Sequence, residues 1–446
     1  MNPRPADVVT ARELAVATLE RVERAGAHAQ PLLDRASDRL NDPRDVSLMH
    51  ALVMGVLRQR RLLDHVIEGA SSRPLGQMGR DLPIPLRLAT FELLFLDRVP
   101  EFATVDAAVE GIRRRGGGPA TGFVNAILRT IARQKDTLLP DDDAALALRY
   151  SYPDWWVERL LKTRDAESIE AMLRLGNEPP PLTVHVNTTR ISVDRFVADR
   201  TTEGVAACRG EFADTAVHIS EGLRSVTAPL AGGDCWVQDE AAQLVVSLLS
   251  PCSQARVLDL CAAPGGKTLQ LAARYDNGST VVAADRYWRR LRKVQQNLAR
   301  CGLEAPLTAA LDGCAEPWAL QGRFDRVVVD APCSGTGTLR RHPEIRWRLT
   351  EADLRRYRER QVRLLTRACE RLAPGGEVVF STCSIEREEG PDVIETVLAD
   401  RDDIVVASAA ERVSGRAREF VTPEGYLVTD PAVGVDGFFA AVLHRR

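Results

Sequence analysis

Arg256-Val-Leu-Asp-Leu-Cys-Ala-Ala-Pro-Gly-Gly-Lys267 decides the fold of this chain. A short apolar run reads as a strand, a glycine-rich turn follows, and a helix opens after it. Gly265 and Gly266 let the backbone approach a ligand closely, and the helix offers amide N–H groups and the positive end of its dipole. The spacing is neither that of a GxGxxG dinucleotide turn nor that of a phosphate loop, which disfavours NAD and ATP. An adenosine-containing ligand fits better.

Downstream, strand-like runs at 280–285, 326–330, 378–381 and 404–407 alternate with helical stretches, and 307–311 reads as a further strand. Such alternation predicts a parallel, doubly wound α/β sheet from residue 234 to 446. The closing Gly437-Phe-Phe-Ala-Ala-Val-Leu-His444 is expected as a final antiparallel strand. In such sheets ligands bind at the carboxyl edge. Asp285 ends the second strand, where a carboxylate takes both ribose hydroxyls, and Asp312 follows the third, within reach of an adenine amine.

Two more strand ends carry thiols: Asp330-Ala-Pro-Cys-Ser-Gly335 and Ser381-Thr-Cys-Ser384. A cofactor turn and two cysteines at one edge point to covalent chemistry on a small planar target. An electron-poor ring carbon is a poor nucleophile until a thiolate adds to the carbon beside it, and a second group must then remove the proton from the carbon that was alkylated. Asp330 is placed to hold the protonated ring nitrogen. Chemistry alone leaves open whether Cys333 or Cys383 attacks. Cys208, Cys252, Cys301, Cys314 and Cys369 read as small buried hydrophobes.

Before residue 234 the pattern changes. Apolar residues recur at helical spacing through 11–22, 48–66 and 86–96, broken at Asn41-Asp-Pro43, Pro74, Pro83, Pro85 and Pro100. Residues 1–135 therefore form an all-helical domain. Arginine gathers at Arg58, Arg60 and Arg61, at Arg113 to Arg115, and at Arg129 and Arg133, as solvated helix faces or nucleic-acid contacts. Residues 136–233 combine a helical connector, in which Trp155 and Trp156 are expected to pack, with a small α+β segment opened by the strand Leu182-Thr-Val-His-Val-Asn187.

At 446 residues the chain is long enough for two or three cores. A composition 45% hydrophobic and 27% charged is ordinary for a globular protein, and no run of 18 apolar residues predicts a membrane span. The opening Met1-Asn-Pro-Arg-Pro-Ala-Asp7 has no signal-peptide pattern. Nine scattered cysteines without CxxC spacing, and seven histidines that do not cluster, argue for a reducing cytoplasmic setting and no metal site. Net charge is −3, and of 59 basic residues only Lys135, Lys162, Lys267 and Lys293 are lysine. That bias suits phosphate contacts, and a GC-rich genome explains it equally well.

These motifs resemble the RsmB/Sun group of the NOL1/NOP2/Sun RNA (cytosine-5) methyltransferases. Met54-Gly-Val-Leu-Arg58, Arg61-Leu-Leu-Asp64, Val99-Pro100, Ala103-Thr-Val-Asp-Ala-Ala-Val109 and Gly122-Phe-Val-Asn-Ala-Ile-Leu-Arg129 are similar to a NusB-type RNA-binding domain. The α+β segment resembles the RNA-recognition-like module of the same enzymes, with His185 where the family usually has Arg. Gln238-Asp-Glu-Ala-Ala-Gln243 is similar to the family segment before the first strand. The resemblance implies a Rossmann-like domain in which Cys261, Ala262, Ala263, Pro264, Gly265, Gly266, Lys267, Asp285, Asp312 and Asp330 bind S-adenosyl-L-methionine. It also implies Cys383 as the nucleophile and Cys333 as the residue assisting product release.

The implied substrate is an unpaired cytosine of 16S rRNA, position 967 in the family, free or in a small-subunit assembly intermediate. A monomer with no membrane or DNA partner is expected. The same chemistry on tRNA or another rRNA site, and a non-catalytic RNA-binding factor, are the alternatives. Arg340-Arg-His-Pro-Glu-Ile-Arg-Trp-Arg348 offers cations and an indole for an unpaired strand, or is a basic surface loop. The family has Asn after Glu388-Glu389, where this chain has Gly390-Pro391.

Overall fold

A computed structural model describes residues 9–446 except 98, 221–222, 276–277, 316–317 and 319. The opening residues 1–7, expected to carry no leader, lie outside the described residues. Contacts divide the chain into two compact units: residues up to Glu178 together with Leu339–Arg348, and Pro179–Thr338 together with Leu349–Arg446. The expected boundary at 135 falls inside a helix, and residues 136–178 group with the helical unit.

The first unit is all-α. Its helices are α1 (Ala11–Ala25), α2 (Ala29–Ser37), α3 (Pro43–Gly69), α4 (Pro83–Phe95), α5 (Glu101–Arg114), α6 (Thr121–Leu138), α7 (Leu146–Arg149), α8 (Asp154–Leu160) and α9 (Ala166–Asn177). Sequence breakers become helix starts. Thr10 and Glu13 make a capping box on α1, and Asp42 caps α3 with Pro43 in its first turn. Leu19, Leu33, Met49, Leu52 and Leu57 fill one core, and Val66, Leu86, Val124 and Leu128 fill another. Trp156 is buried and stacks on Tyr152, with ring centroids 5.5 Å apart.

Two basic motifs are structural in this unit. Arg346 is buried with its guanidinium 3.6 Å from the Tyr152 ring centroid. It donates to the carbonyls of Arg58 and Gly176 and to Asn177 Oδ1 at 2.7–3.1 Å, and Trp347 Nε1 donates to Leu57 O at 2.6 Å. Burial pulls the Arg346 pKa down to about 10. The segment 340–348 is therefore a packed anchor rather than an open strand-binding loop. Arg58 is buried and donates to Arg340 O, and Arg61 donates to Tyr152 O at 2.9 Å, so that cluster is not a solvated face.

The second unit carries two sheets. Strands β1 (Leu182–Val186), β2 (Ala207–Arg209), β3 (Ala216–Ile219) and β4 (Cys235–Val237) form an antiparallel sheet of order β2-β3-β1-β4, with α10 (Val193–Thr202) and α11 (Thr227–Gly232) between them. The larger sheet contains β5 (Arg256–Asp259), β6 (Thr280–Asp285), β7 (Leu307–Ala310), β8 (Phe324–Asp330), β9 (Leu372–Thr382), β10 (Ile404–Ala407), β11 (Leu427–Val428) and β12 (Phe439–Arg445). Its order is β10-β12-β9-β8-β5-β6-β7, with β11 beside β12. Strands β5 to β9 pair in parallel, and β12 runs antiparallel to β9 and β10, as expected of the closing run.

Helices α12 (Glu240–Ser247), α13 (Gly266–Arg274), α14 (Trp288–Cys301), α15 (Glu351–Glu370) and α16 (Pro391–Leu398) complete this unit. Val257, Val328, Val379 and Val442 point into one apolar layer, and Leu258, Val327, Val329 and Phe380 into the other. Burial on both faces is why these strands read as unbroken apolar runs. Chain order reverses at β5, between β6 and β8, and that reversal opens a crevice at the carboxyl edge. Among the described residues no helix is long and apolar enough to cross a membrane.

Candidate active site

The crevice is a cleft of about 260 Å³ at the ends of β5, β6, β8 and β9. Cys261, Ala263, Asp285, Asp312, Asp330, Cys333 and Cys383 all line it. Of the residues singled out in the sequence, Ala262, Pro264, Gly265, Gly266 and Lys267 do not. They form the turn behind the wall. Gly265 has φ +117°, and a Cβ there would lie 3.3 Å from Val294 Cα, so the turn needs glycine.

Asp259, at the end of β5, fixes that turn to the sheet. It is fully buried and accepts from Thr268 Oγ1 on α13 at 2.6 Å, while its Oδ1 has no hydrogen-bond partner. Burial drives its pKa up to about 7, and the charges of Asp330 and Asp285 push the same way. Asp285 is held in place by the amides of Tyr287 at 3.0 Å and Ala263 at 3.3 Å, with Arg290 3.4 Å away. Asp312 caps its own turn through Cys314 N at 3.0 Å and lies 3.5 Å from Arg286. Lys267 reaches from behind to Asp330 Oδ2 at 2.8 Å, and Ser381 Oγ donates to Asp330 Oδ1 at 2.9 Å.

The two thiols, fifty residues apart in sequence, meet with their sulfurs 3.2 Å apart, and both are free. The Cys333 pKa is raised well above the ordinary thiol range, first by its hydrogen bond to Cys383, then by burial and the nearby carboxylates. Cys333 therefore keeps its proton and can donate to the Cys383 sulfur.

Glu389 holds the two thiol loops in register. Its buried carboxylate accepts from Ser334 N at 2.9 Å and Ser334 Oγ in one loop, and from Ser384 Oγ at 2.6 Å in the other. Gln361 Nε2 on α15 bridges Glu389 and Pro332 O, each at 3.0 Å. Burial raises the Glu389 pKa, against these donors. Asp259, Arg290, Gln361 and Glu389, and Arg360 in the cleft lining, are site residues that the sequence reading does not single out. Asp259 alone carried a signal, as an acid ending a strand before the glycine turn.

Gly337 closes the first thiol loop onto the end of β9, donating to Cys383 O at 3.1 Å and accepting from Gly437 N at 2.8 Å. A Cβ at Gly337 would collide with the Gly437 backbone. Gly337→Ala is expected to slow turnover at this cleft by about 10²-fold or more and to lower Tm, because a shift of about 1 Å at reacting groups costs that much. Rate assays alongside a thermal melt check it.

The departures from the family pattern have local causes. A Cβ at Gly390 would lie 2.9 Å from two ring atoms of Phe439, so a side chain at 390 would need that ring to move. His185 is buried in β1, stacked on Trp236 with centroids 4.1 Å apart, and burial lowers its pKa to about 3. A buried, neutral imidazole offers no cation to a phosphate. Asp239 caps α12 through Ala241 N at 3.0 Å, and Gln238 links Trp236 to Gln270, both at 2.8 Å. Cys301 and Cys369 are buried as expected, whereas Cys208, on the three-residue strand β2, is exposed, and Cys252 and Cys314 are partly exposed.

Three family models match the chain. Residues 246–444 match the 16S rRNA methyltransferase RsmB/F model, residues 9–133 the NusB family, and residues 152–226 the ferredoxin-like domain of RsmF/B-like methyltransferases. Ribosomal RNA small subunit methyltransferase B of Klebsiella pneumoniae is 31% identical over 98% of this chain and 99% of its own. The probable ribosomal RNA small subunit methyltransferase B of Bacillus subtilis is 29% identical over 98% of both. The crystal structure of PH0851 shares the fold over 98% of this chain and 99% of its own, with a TM-score of 0.82 at 24% identity.

Proposed function

The chain belongs to the RsmB/F family of 16S rRNA methyltransferases, and from that premise we propose that it methylates carbon 5 of an unpaired cytosine in 16S rRNA through a covalent cysteine adduct. The observation that carries this reading is the pair of thiols 3.2 Å apart in the cleft that Asp285, Asp312 and Asp330 also line. A methyl transfer to oxygen or to an exocyclic amine needs no thiol; transfer to an unactivated ring carbon needs a nucleophile at the neighbouring carbon.

The donor set fits S-adenosyl-L-methionine. Two carboxylates, Asp285 and Asp312, face the cleft from adjacent strand ends, and the positive-φ Gly265 brings the turn of Cys261 to Lys267 against α14. When bound, this cofactor supplies an electrophilic methyl group. Asp285 would take its ribose hydroxyls and Asp312 its adenine amine, with the Gly265–Gly266 turn and Lys267 behind them.

On the substrate side, Cys383 adds to carbon 6 as the thiolate while its proton passes to the ring nitrogen, which makes carbon 5 enamine-like. Asp330, oriented by Lys267 and Ser381, accepts a hydrogen bond from the protonated ring nitrogen. Once carbon 5 has taken the methyl group, Cys333 assists the loss of the carbon-5 proton, and the electron pair left behind re-forms the carbon 5–carbon 6 double bond as the Cys383–carbon-6 bond breaks and releases the thiolate. The base must stand out of its helix for the sulfur to reach it, which fits an unpaired site.

By the family resemblance the target is position 967, modified before or during small-subunit assembly, by a monomer in the cytoplasm. Bisulfite sequencing of rRNA and tRNA from cells with and without the gene tests this. One 16S cytosine losing its mark on deletion is the expected result. A lost tRNA mark would keep the chemistry and overturn the substrate, and no lost mark anywhere would overturn both.

A further inference from the structure

The first turns of α14 carry a feature that the reaction does not use. Tyr287 is 55% exposed and Trp288 is 49% exposed, two aromatic side chains side by side in water. Around them Arg286, Arg289, Arg290, Arg292 and Lys293 are all exposed. The opposite face of the helix, Leu291, Val294, Leu298 and Cys301, is buried. The helix is thus anchored on one side and leaves aromatics and cations together on the other.

Two of the cations have structural work. Arg290 lies 3.4 Å from Asp285 and donates to Ala263 O at 2.9 Å, and Arg286 lies 3.5 Å from Asp312. Arg289, Arg292 and Lys293 form no ion pair or hydrogen bond with any described residue. No described aromatic ring stacks on Trp288. The patch is continuous with the active-site cleft, because Arg286, Tyr287 and Arg290 line that cleft as well.

We propose that Trp288, flanked by Tyr287, Arg289, Arg292 and Lys293, is a docking platform for the single-stranded RNA next to the target cytosine. The inference rests on the reading of the cleft as an RNA methyltransferase site. A solvated charged face needs cations but no exposed indole, and a protein-docking face wants fewer unpaired cations of one sign. Alternating aromatics and cations are what an unpaired strand needs: the rings take bases by stacking, whatever their sequence, and the cations follow the phosphates. Arg286, Tyr287 and Arg290 set this contact at the rim of the cleft that the reacting base would enter, where it would hold the strand open.

The test uses the full chain and a 5′-fluorescein-labelled single-stranded RNA of mixed sequence, with affinity measured at several salt concentrations. Trp288→Ala should weaken binding about tenfold, the usual loss for one stacked base, with little change in salt slope. The triple variant Arg289→Ala, Arg292→Ala, Lys293→Ala should lower the slope of log affinity against log salt by about 2, at about 0.7 per phosphate contact on a single strand. Affinity for S-adenosyl-L-methionine should hold in both.

Unchanged RNA affinity and slope would overturn the platform, as would a loss confined to cofactor affinity, which would make α14 a cofactor rim. The two readings fail separately. A wild-type protein that marks 16S cytosine while the variants bind RNA normally sinks the platform alone. A wild-type protein that binds the RNA through Trp288 and marks no cytosine sinks the proposed function alone.

Discussion

Cys383→Ala is expected to lower methyl transfer by at least about 10⁴-fold, a barrier increase of about 5.5 kcal/mol. The loss is large because the proposed mechanism bonds this sulfur to carbon 6, and no neighbouring group can replace it. Cys333 does not substitute: its loop is fixed by Ser334 and Gln361 contacts to Glu389 and Pro332, and its thiol is held protonated. Alanine leaves the cofactor side intact, since Asp285, Asp312 and the Gly265 turn are held by contacts that do not involve Cys383. Cofactor affinity by calorimetry should therefore match the wild type while single-turnover transfer to 16S rRNA is lost. Residual transfer within about tenfold of wild type would remove Cys383 from the nucleophile role.

The parts of this site that were legible in the sequence share one property: local pattern and tertiary role coincide. Strands β5, β6, β8 and β9 are buried on both faces, so their apolar runs are visible, and each ends on an acid, a turn or a cysteine that stands at the edge. Asp285, Asp330, Cys333 and Cys383 line one cleft for that reason, and Asp312 joins them from the partly exposed edge strand β7. Residues whose role is made by the partner they meet were not legible. Glu389 sits in Arg-Glu-Glu-Gly, which reads as surface charge, and becomes a buried hub only because Ser334, Ser384 and Gln361 converge on it.

The segment 340–348 misleads in the opposite sense. Cations beside an indole look like a strand-binding loop, yet Arg346 is spent on Tyr152 and backbone carbonyls. The same residue types at Trp288 to Lys293 lie exposed. Composition cannot distinguish the two; burial does. Strands β2 and β4, three residues each, are too short for a periodic signal and exist through pairing with β3 and β1.

Cys333→Ala should leave the first half of the reaction working and stop the second. In the resting protein the hydrogen bond to Cys383 is the largest influence raising the Cys333 pKa. Once the Cys383 sulfur is bonded to carbon 6 it is an uncharged thioether, and that influence is gone. Burial and the carboxylates of Glu389 and Asp330 still act in the raising direction, and Cys333 is the thiol left beside the adduct to assist carbon-5 proton removal. Alanine cannot follow this sequence, so methylated RNA should remain attached to the protein. The expected result is a single turnover followed by arrest, with steady-state rate down by about 10³-fold or more. A protein–RNA band should survive denaturing electrophoresis, and a Cys333→Ala, Cys383→Ala double variant should abolish it. If Cys333→Ala turns over at near wild-type rate with no such band, Cys333 has a packing role, and carbon-5 proton removal must be assigned to another group in the cleft.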